Sequence, residues 1–136
     1  MPRLTDSEIA RLRGDLDPAT EAIAFAEGTE PAFSHPLNTE KRDGTYHCAV
    51  CGQAAFAAAH KYESGSGWPS FWQPGQPEAI ETKTDYKLRY PRTEIHCANC
   101  GAHMGHMFAD GPPPTGERYC LNGGVLTFRA AADTDG

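Results

Sequence analysis

No stretch of this chain approaches the roughly 18 consecutive apolar residues of a membrane-spanning helix. Basic charge is scarce as well: 12 Lys and Arg stand against 18 Asp and Glu, for a net charge of −6. The positive side chains are scattered, so neither a nucleic acid nor an anionic membrane surface is an expected partner. Met1 to Asp17 holds nothing like a secretory signal, and a soluble protein of the reducing cytoplasm is expected. A βαβ pattern is also missing, because 11 prolines and 14 glycines punctuate the chain and favour many short antiparallel strands. Nor is there a disulfide framework: the five cysteines are odd in number and four of them form two C-x-x-C pairs, which suits metal binding better. Cys120 is left over.

What is present fits one domain of 136 residues, long enough to bury about two-thirds of its unfolded surface. Residues 1–28 read as a helical N-terminal arm. Thr5 or Asp6 can cap a first helix carrying Ile9 and Leu12, and Asp17-Pro18 opens a second that carries Ile23 and closes at Gly28. Residues 29–129 read as the β domain that carries the chemistry, and residues 130–136 as a small polar tail expected to be disordered. Strands are predicted over 45–48, 54–56, 61–62, 67–72, 79–90, 93–96, 102–108 and, in two halves broken at Gly123-Gly124, 117–127.

His47-Cys48-Ala49-Val50-Cys51-Gly52 and His96-Cys97-Ala98-Asn99-Cys100-Gly101 are near-copies of one pattern, 49 positions apart. Each pair can wrap a tight turn around an ion, with the glycine expected to relieve the backbone where it nears sulfur. Four thiolates from Cys48, Cys51, Cys97 and Cys100 close a tetrahedral zinc site with no open position, so one structural zinc per chain is expected. His47 and His96 are read as ordinary strand residues.

The densest chemistry lies in the 26 residues from Cys97 to Asn122. A strand period of two puts Arg118, Cys120 and Asn122 on one face, with Tyr119 and Leu121 on the other. His106 and Phe108 share a face by the same rule. His103 is offset by three, so Gly105 is expected to turn the chain if the two histidines are to converge. The Asp110 to Gly116 loop reverses the chain and can bring His106 beside Cys120. Arg118 and a histidine would each favour the thiolate, the nucleophilic form.

With these residues in view, the chain resembles the type B methionine sulfoxide reductases. The resemblance covers about Thr29 to Phe128. It rests on the paired knuckles, Gly67-Trp68-Pro69-Ser70-Phe71, His103-x-x-His106-x-Phe108, Gly111 to Gly116, and Arg118-Tyr119-Cys120-Leu121-Asn122. It implies a mainly β fold, two antiparallel sheets of short strands pinned by the four-cysteine zinc site, with short N-terminal helices in addition. It implies reduction of the R epimer of methionine sulfoxide in oxidised proteins or peptides, with the free amino acid as a second substrate. Cys120 matches the catalytic cysteine, His106 and Asn122 match residues that orient the substrate and help protonate its oxygen, and Trp68 matches the indole against the substrate methyl. His103, Phe108 and Arg118 match the surrounding pocket, and Thr29 matches a threonine that closes over it.

Where many members carry a resolving cysteine this chain has Ser66, which cannot form a disulfide. The resemblance therefore implies a sulfenic acid on Cys120 that is regenerated by an external thiol such as thioredoxin; separately, a monomer is expected. Phe71 and Trp72 are read as packing residues. A zinc-stabilised binding module without chemistry is the alternative, and it leaves Cys120 unexplained. A zinc hydrolase would need an open coordination position that four cysteine ligands do not leave.

Overall fold

The computed structural model describes residues 4–26, 28–86 and 90–131. Among these residues nine short strands follow two helices: β1 (Gly44–Cys48), β2 (Ala54–Ala57), β3 (Lys61–Tyr62), β4 (Ser70–Phe71), β5 (Ile80–Asp85), β6 (Arg92–Cys97), β7 (His103–Phe108), β8 (Arg118–Leu121) and β9 (Leu126–Ala130). They form two antiparallel sheets, one of three strands in the order β2-β1-β9 and one of six in the order β3-β4-β8-β7-β6-β5.

The predicted break at Gly123-Gly124 is where the chain changes sheets. Gly123–Val125 forms a 3-10 turn, with β8 on the large sheet before it and β9 on the small sheet after it. The strand expected over 67–72 shrinks to Ser70–Phe71, because Gly67 takes a φ of +94° and Pro69 has no N–H for a ladder. The strand expected over 79–90 runs from Ile80 to Asp85, and residues 87–89 lie outside the described residues. Residue 130, expected to open the tail, belongs to the small sheet. Ala130 ends β9 opposite Gly44, and Ala131 donates its N–H to Asp43 O at 2.8 Å; residues 132–136 lie outside the described residues.

Aromatic rings join the sheets. Phe71 of the large sheet is fully buried, with its ring 5.1 Å from Tyr46 and 4.8 Å from Phe56 of the small one. Such pairs contribute about 0.5–1.5 kcal/mol each beyond the area they bury. Phe71 is thus a core residue, as expected, and Trp72 packs edge-on against His60 at 4.6 Å.

Both helices start where the sequence indicates. α1 (Asp6–Gly14) has a capping box between Thr5 and Glu8, and α2 (Pro18–Phe25) is capped by Asp17, which accepts the Thr20 N–H at 2.8 Å. α1 buries no residue, whereas α2 buries Ile23 and Ala24 and packs on the Gly123–Val125 turn and on β7. The second helix therefore supports the strand that carries both histidines. Among the described residues no helix is long and apolar enough to cross a membrane.

Candidate active site

The two knuckles fold alike. Gly52 donates its N–H to Cys48 O and Gly101 to Cys97 O, each at 2.8 Å, and the two glycines adopt φ values of +81° and +80°. Left-handed backbone is what the glycine supplies. Space near sulfur is not the reason, since a Cβ on Gly52 would meet nothing within 4 Å. Cys48 ends β1 of the small sheet and Cys97 ends β6 of the large one, so an ion held here links the sheets. The four Sγ atoms lie within 4.8 Å of one another, with Cys48 to Cys100 at 3.7 Å and Cys51 to Cys97 at 3.6 Å. Zinc–sulfur bonds of about 2.3 Å in a tetrahedron separate the sulfurs by about 3.8 Å, so these residues fit zinc. Neither neighbouring histidine joins the cluster: His47 donates from Nδ1 to Gly52 O at 3.0 Å, and His96 lies 3.5 Å from Glu81.

The second cluster is built on the large sheet. Ser70 of β4, Cys120 of β8 and His106 of β7 stand directly opposite one another in register, which puts their side chains in one row. The Gly111–Gly116 loop returns β8 alongside β7, with the Gly111 N–H bonded to Gly116 O at 3.0 Å. Gly105 is required by this approach, because a Cβ there would run into the Cys120 carbonyl oxygen. Burial alternates as expected along β8: Arg118 and Cys120 are partly exposed, Tyr119 and Leu121 buried.

The convergence of the two histidines has another cause than the expected turn at Gly105. His96 opposes His103 and Ile95 opposes Gly105, so β7 carries one extra residue, Met104, in a β-bulge. The bulge resets the alternation, and residues three apart come together with ring centroids separated by 5.5 Å. The histidines are then held differently. His106 donates from Nε2 to Asp85 Oδ2 at 2.8 Å, an oxygen that also accepts from Arg92 Nη2 at 3.1 Å. This leaves Nδ1 of His106 for a ligand. His103 is buried, its Nδ1 2.7 Å from Glu94 Oε1, and it lines a separate depression with Lys83 and His96.

A cleft of about 370 Å³ opens over Cys120. Thr29, Trp68, His106, Phe108, Arg118 and Asn122 line it, so seven of the eight non-metal candidates, Cys120 included, meet in one place and His103 stands behind them. Arg118 forms a two-point ion pair with Asp110, at 2.9 and 3.2 Å, and its guanidinium lies 4.4 Å from the centre of the Phe108 ring. Trp68 donates its indole N–H to Glu30 O at 2.9 Å. Asn122 is 3% exposed; its Oδ1 accepts the Glu30 N–H at 3.0 Å and its Nδ2 donates to Met104 O at 3.1 Å.

Four lining residues were not among the candidates: Ser66, singled out only as a missing thiol, together with Arg92, Gly105 and Leu121. Ser66 Oγ lies 3.8 Å from Cys120 Sγ, and Ser64 Oγ joins Ser66 and Ser70 at 2.8 and 2.7 Å. Burial pushes the Cys120 thiol above its ordinary range. The Ser66 hydroxyl and the Arg118 charge pull the other way, toward the thiolate as expected of Arg118, without outweighing it.

The SelR domain family matches residues 16–130. A peptide methionine sulfoxide reductase MsrB from Thioalkalivibrio sulfidiphilus is 47% identical over 120 residues, 88% of each chain. Proteins of the same description from Pseudomonas putida and Pseudomonas entomophila are 47% and 44% identical, over 86% and 91% of this chain and 89% and 95% of their own. Four clustered thiols, a half-buried cysteine opposite a histidine, and these likenesses over most of the length lead to one conclusion: the chain belongs to the SelR-domain family of MsrB methionine sulfoxide reductases.

Proposed function

We propose that this protein reduces the R epimer of methionine sulfoxide to methionine, with Cys120 as nucleophile. One observation supports the reading most: Cys120 shares a single cleft with His106 and Asn122 on the polar side and the Trp68 indole on the apolar side. The sulfoxide sulfur is a pyramid with an oxygen, a methyl and the rest of the side chain. With the methyl on the indole and the oxygen toward His106 and Asn122, the sulfur faces Cys120.

The Cys120 thiolate attacks that sulfur while a proton passes to the oxygen. His106 is the donor, through Nδ1, because Asp85 accepts the proton on Nε2 and leaves Nδ1 as the ring atom that can reach the oxygen. The two electrons come from the thiolate, the oxygen moves to Cys120 as sulfenic acid, and methionine leaves as the thioether. Ser66 cannot resolve the sulfenic acid, and the cysteines of the knuckles are committed to metal. A thiol of an external reductant such as thioredoxin attacks instead, releasing water and forming a mixed disulfide, and its second thiol frees Cys120. The knuckle cysteines would hold zinc, which would supply a cross-link and no reaction step, since four thiolates leave no open position. A binding module without chemistry gives Cys120 and its cleft no role.

Exchanging methyl and oxygen presses an unpaired oxygen on the indole, at a cost of about 1–3 kcal/mol. Separate R and S sulfoxides are therefore incubated with dithiothreitol and the methionine formed is counted. The expected result is turnover of R with S far slower. Comparable rates would overturn the pocket assignment, and no methionine from either would overturn the function.

A further inference from the structure

Glu30 lies in a segment without regular secondary structure, and no step above uses its side chain. Four hydrogen bonds nevertheless meet on it. Its carboxylate accepts the N–H of Gly123 at 2.9 Å on Oε2 and of Gly124 at 2.8 Å on Oε1. Its own N–H donates to Asn122 Oδ1 at 3.0 Å, and its carbonyl accepts the Trp68 indole N–H at 2.9 Å. A single coil residue thus joins the two walls assigned to the sulfoxide oxygen and to the methyl.

The consequence for Asn122 is directional. With Oδ1 on the Glu30 N–H and one Nδ2 proton on Met104 O, the second Nδ2 proton is the group the amide has left to offer the cleft it lines. Turned by 180°, the amide would set its oxygen against the Met104 carbonyl and its NH2 against the Glu30 N–H. Thr20 Oγ1 also holds the turn, donating to Gly124 O at 3.2 Å, but among the described residues only Glu30 hydrogen-bonds to the turn, to Asn122 and to Trp68 together. A carboxylate suits the position because both oxygens accept. Glutamine would present an NH2 to one of the two N–H groups.

We propose that Glu30 is a positioning residue for sulfoxide reduction: its carboxylate clamps the Gly123–Gly124 turn and thereby keeps the Asn122 amide as a donor and the Trp68 ring in its plane. The inference rests on the assignment of Asn122 and Trp68 to the substrate made above. It adds that both the rate and the epimer choice depend on a residue that touches neither sulfur nor oxygen.

The test uses full-length Glu30→Gln with separate R and S sulfoxides. Its kcat for R is expected to fall on the order of 10²-fold and its preference for R to narrow, at wild-type zinc content and with iodoacetamide alkylating Cys120 at the wild-type rate. In an Asn122→Ala background the same change is expected to cost far less, because the amide it acts through is gone. In a Trp72→Phe background Trp68 is the remaining tryptophan, and its emission is expected to move to the red when Glu30 is replaced. Glu30→Asp reads the same quantities should the glutamine variant not fold. Unchanged kcat, epimer ratio and Trp68 emission would overturn the proposal, as would an equal loss in the Asn122→Ala background. A wild-type chain inactive on both epimers would end the functional reading instead, and the Trp68 emission would still decide the clamp.

Discussion

Replacing Cys120 with serine is expected to lower turnover of the R sulfoxide by about four orders of magnitude or more, with the fold and metal content unchanged. The hydroxyl has nearly the shape of the thiol, and Ser66 and Ser70 beside it would tolerate another hydroxyl. What serine lacks is a nucleophile that loses its proton within reach of neutral pH and can then carry the oxygen away. Methionine release under dithiothreitol measures this, and a serine variant with retained turnover would remove Cys120 from the mechanism. The same thiol has a pH signature. Burial raises it, so the thiolate fraction at neutral pH falls below the few per cent of a free cysteine and grows as pH rises into the alkaline range. Alkylation of the substrate-free protein by iodoacetamide should therefore be slow at neutral pH and climb with pH. A fast rate already level at neutral pH would contradict the burial effect.

Removing the metal is expected to unfold the domain and not to silence chemistry alone. Cys48 ends a strand of one sheet and Cys97 a strand of the other, so the site joins segments far apart in sequence. Zinc binding contributes on the order of 10 kcal/mol in small zinc domains, as much as the whole stability of an ordinary domain. Without an ion, four sulfurs within 4.8 Å of one another cannot all carry charge, and the local structure that crowds them loses its reason to persist. Chelator titration followed by circular dichroism and metal analysis tests the point. The expected outcome is one zinc per chain, with the β signal lost as zinc leaves; a metal-free chain with native dichroism and an unchanged melting temperature would contradict it.

Much of this was legible in the sequence because it follows local rules. The knuckles show themselves by spacing, the helix starts by Thr5, Glu8 and Asp17, and the Arg118 to Leu121 alternation by a period of two. What stayed hidden depends on register or on distant partners. Met104 looks like any apolar strand residue, yet as the extra residue of a bulge it decides where His103 points. His103 matched a pocket residue, but behind the bulge it pairs with Glu94 and misses the cleft. Asp85 reaches His106 only because β5 and β7 flank β6, an order no local pattern reveals. Glu30 sits between a threonine and a proline with no periodicity, and its partners at Gly123 and Gly124 are more than ninety positions away. The effect of burial on Cys120 was hidden for a related reason: the charge of Arg118, which favours the thiolate, can be read from the chain, whereas the burial that outweighs it belongs to the packed sheet.

The central claim is that Cys120 takes the sulfoxide oxygen and waits for an external thiol. The intact mass of the wild-type chain, denatured in the presence of dimedone after a single turnover without reductant, tests this most directly. The expected result is one methionine released per chain and one dimedone adduct, located on Cys120, with the knuckle thiols unmodified. A disulfide from Cys120 to Cys48, Cys51, Cys97 or Cys100, with metal released and no adduct, would contradict it.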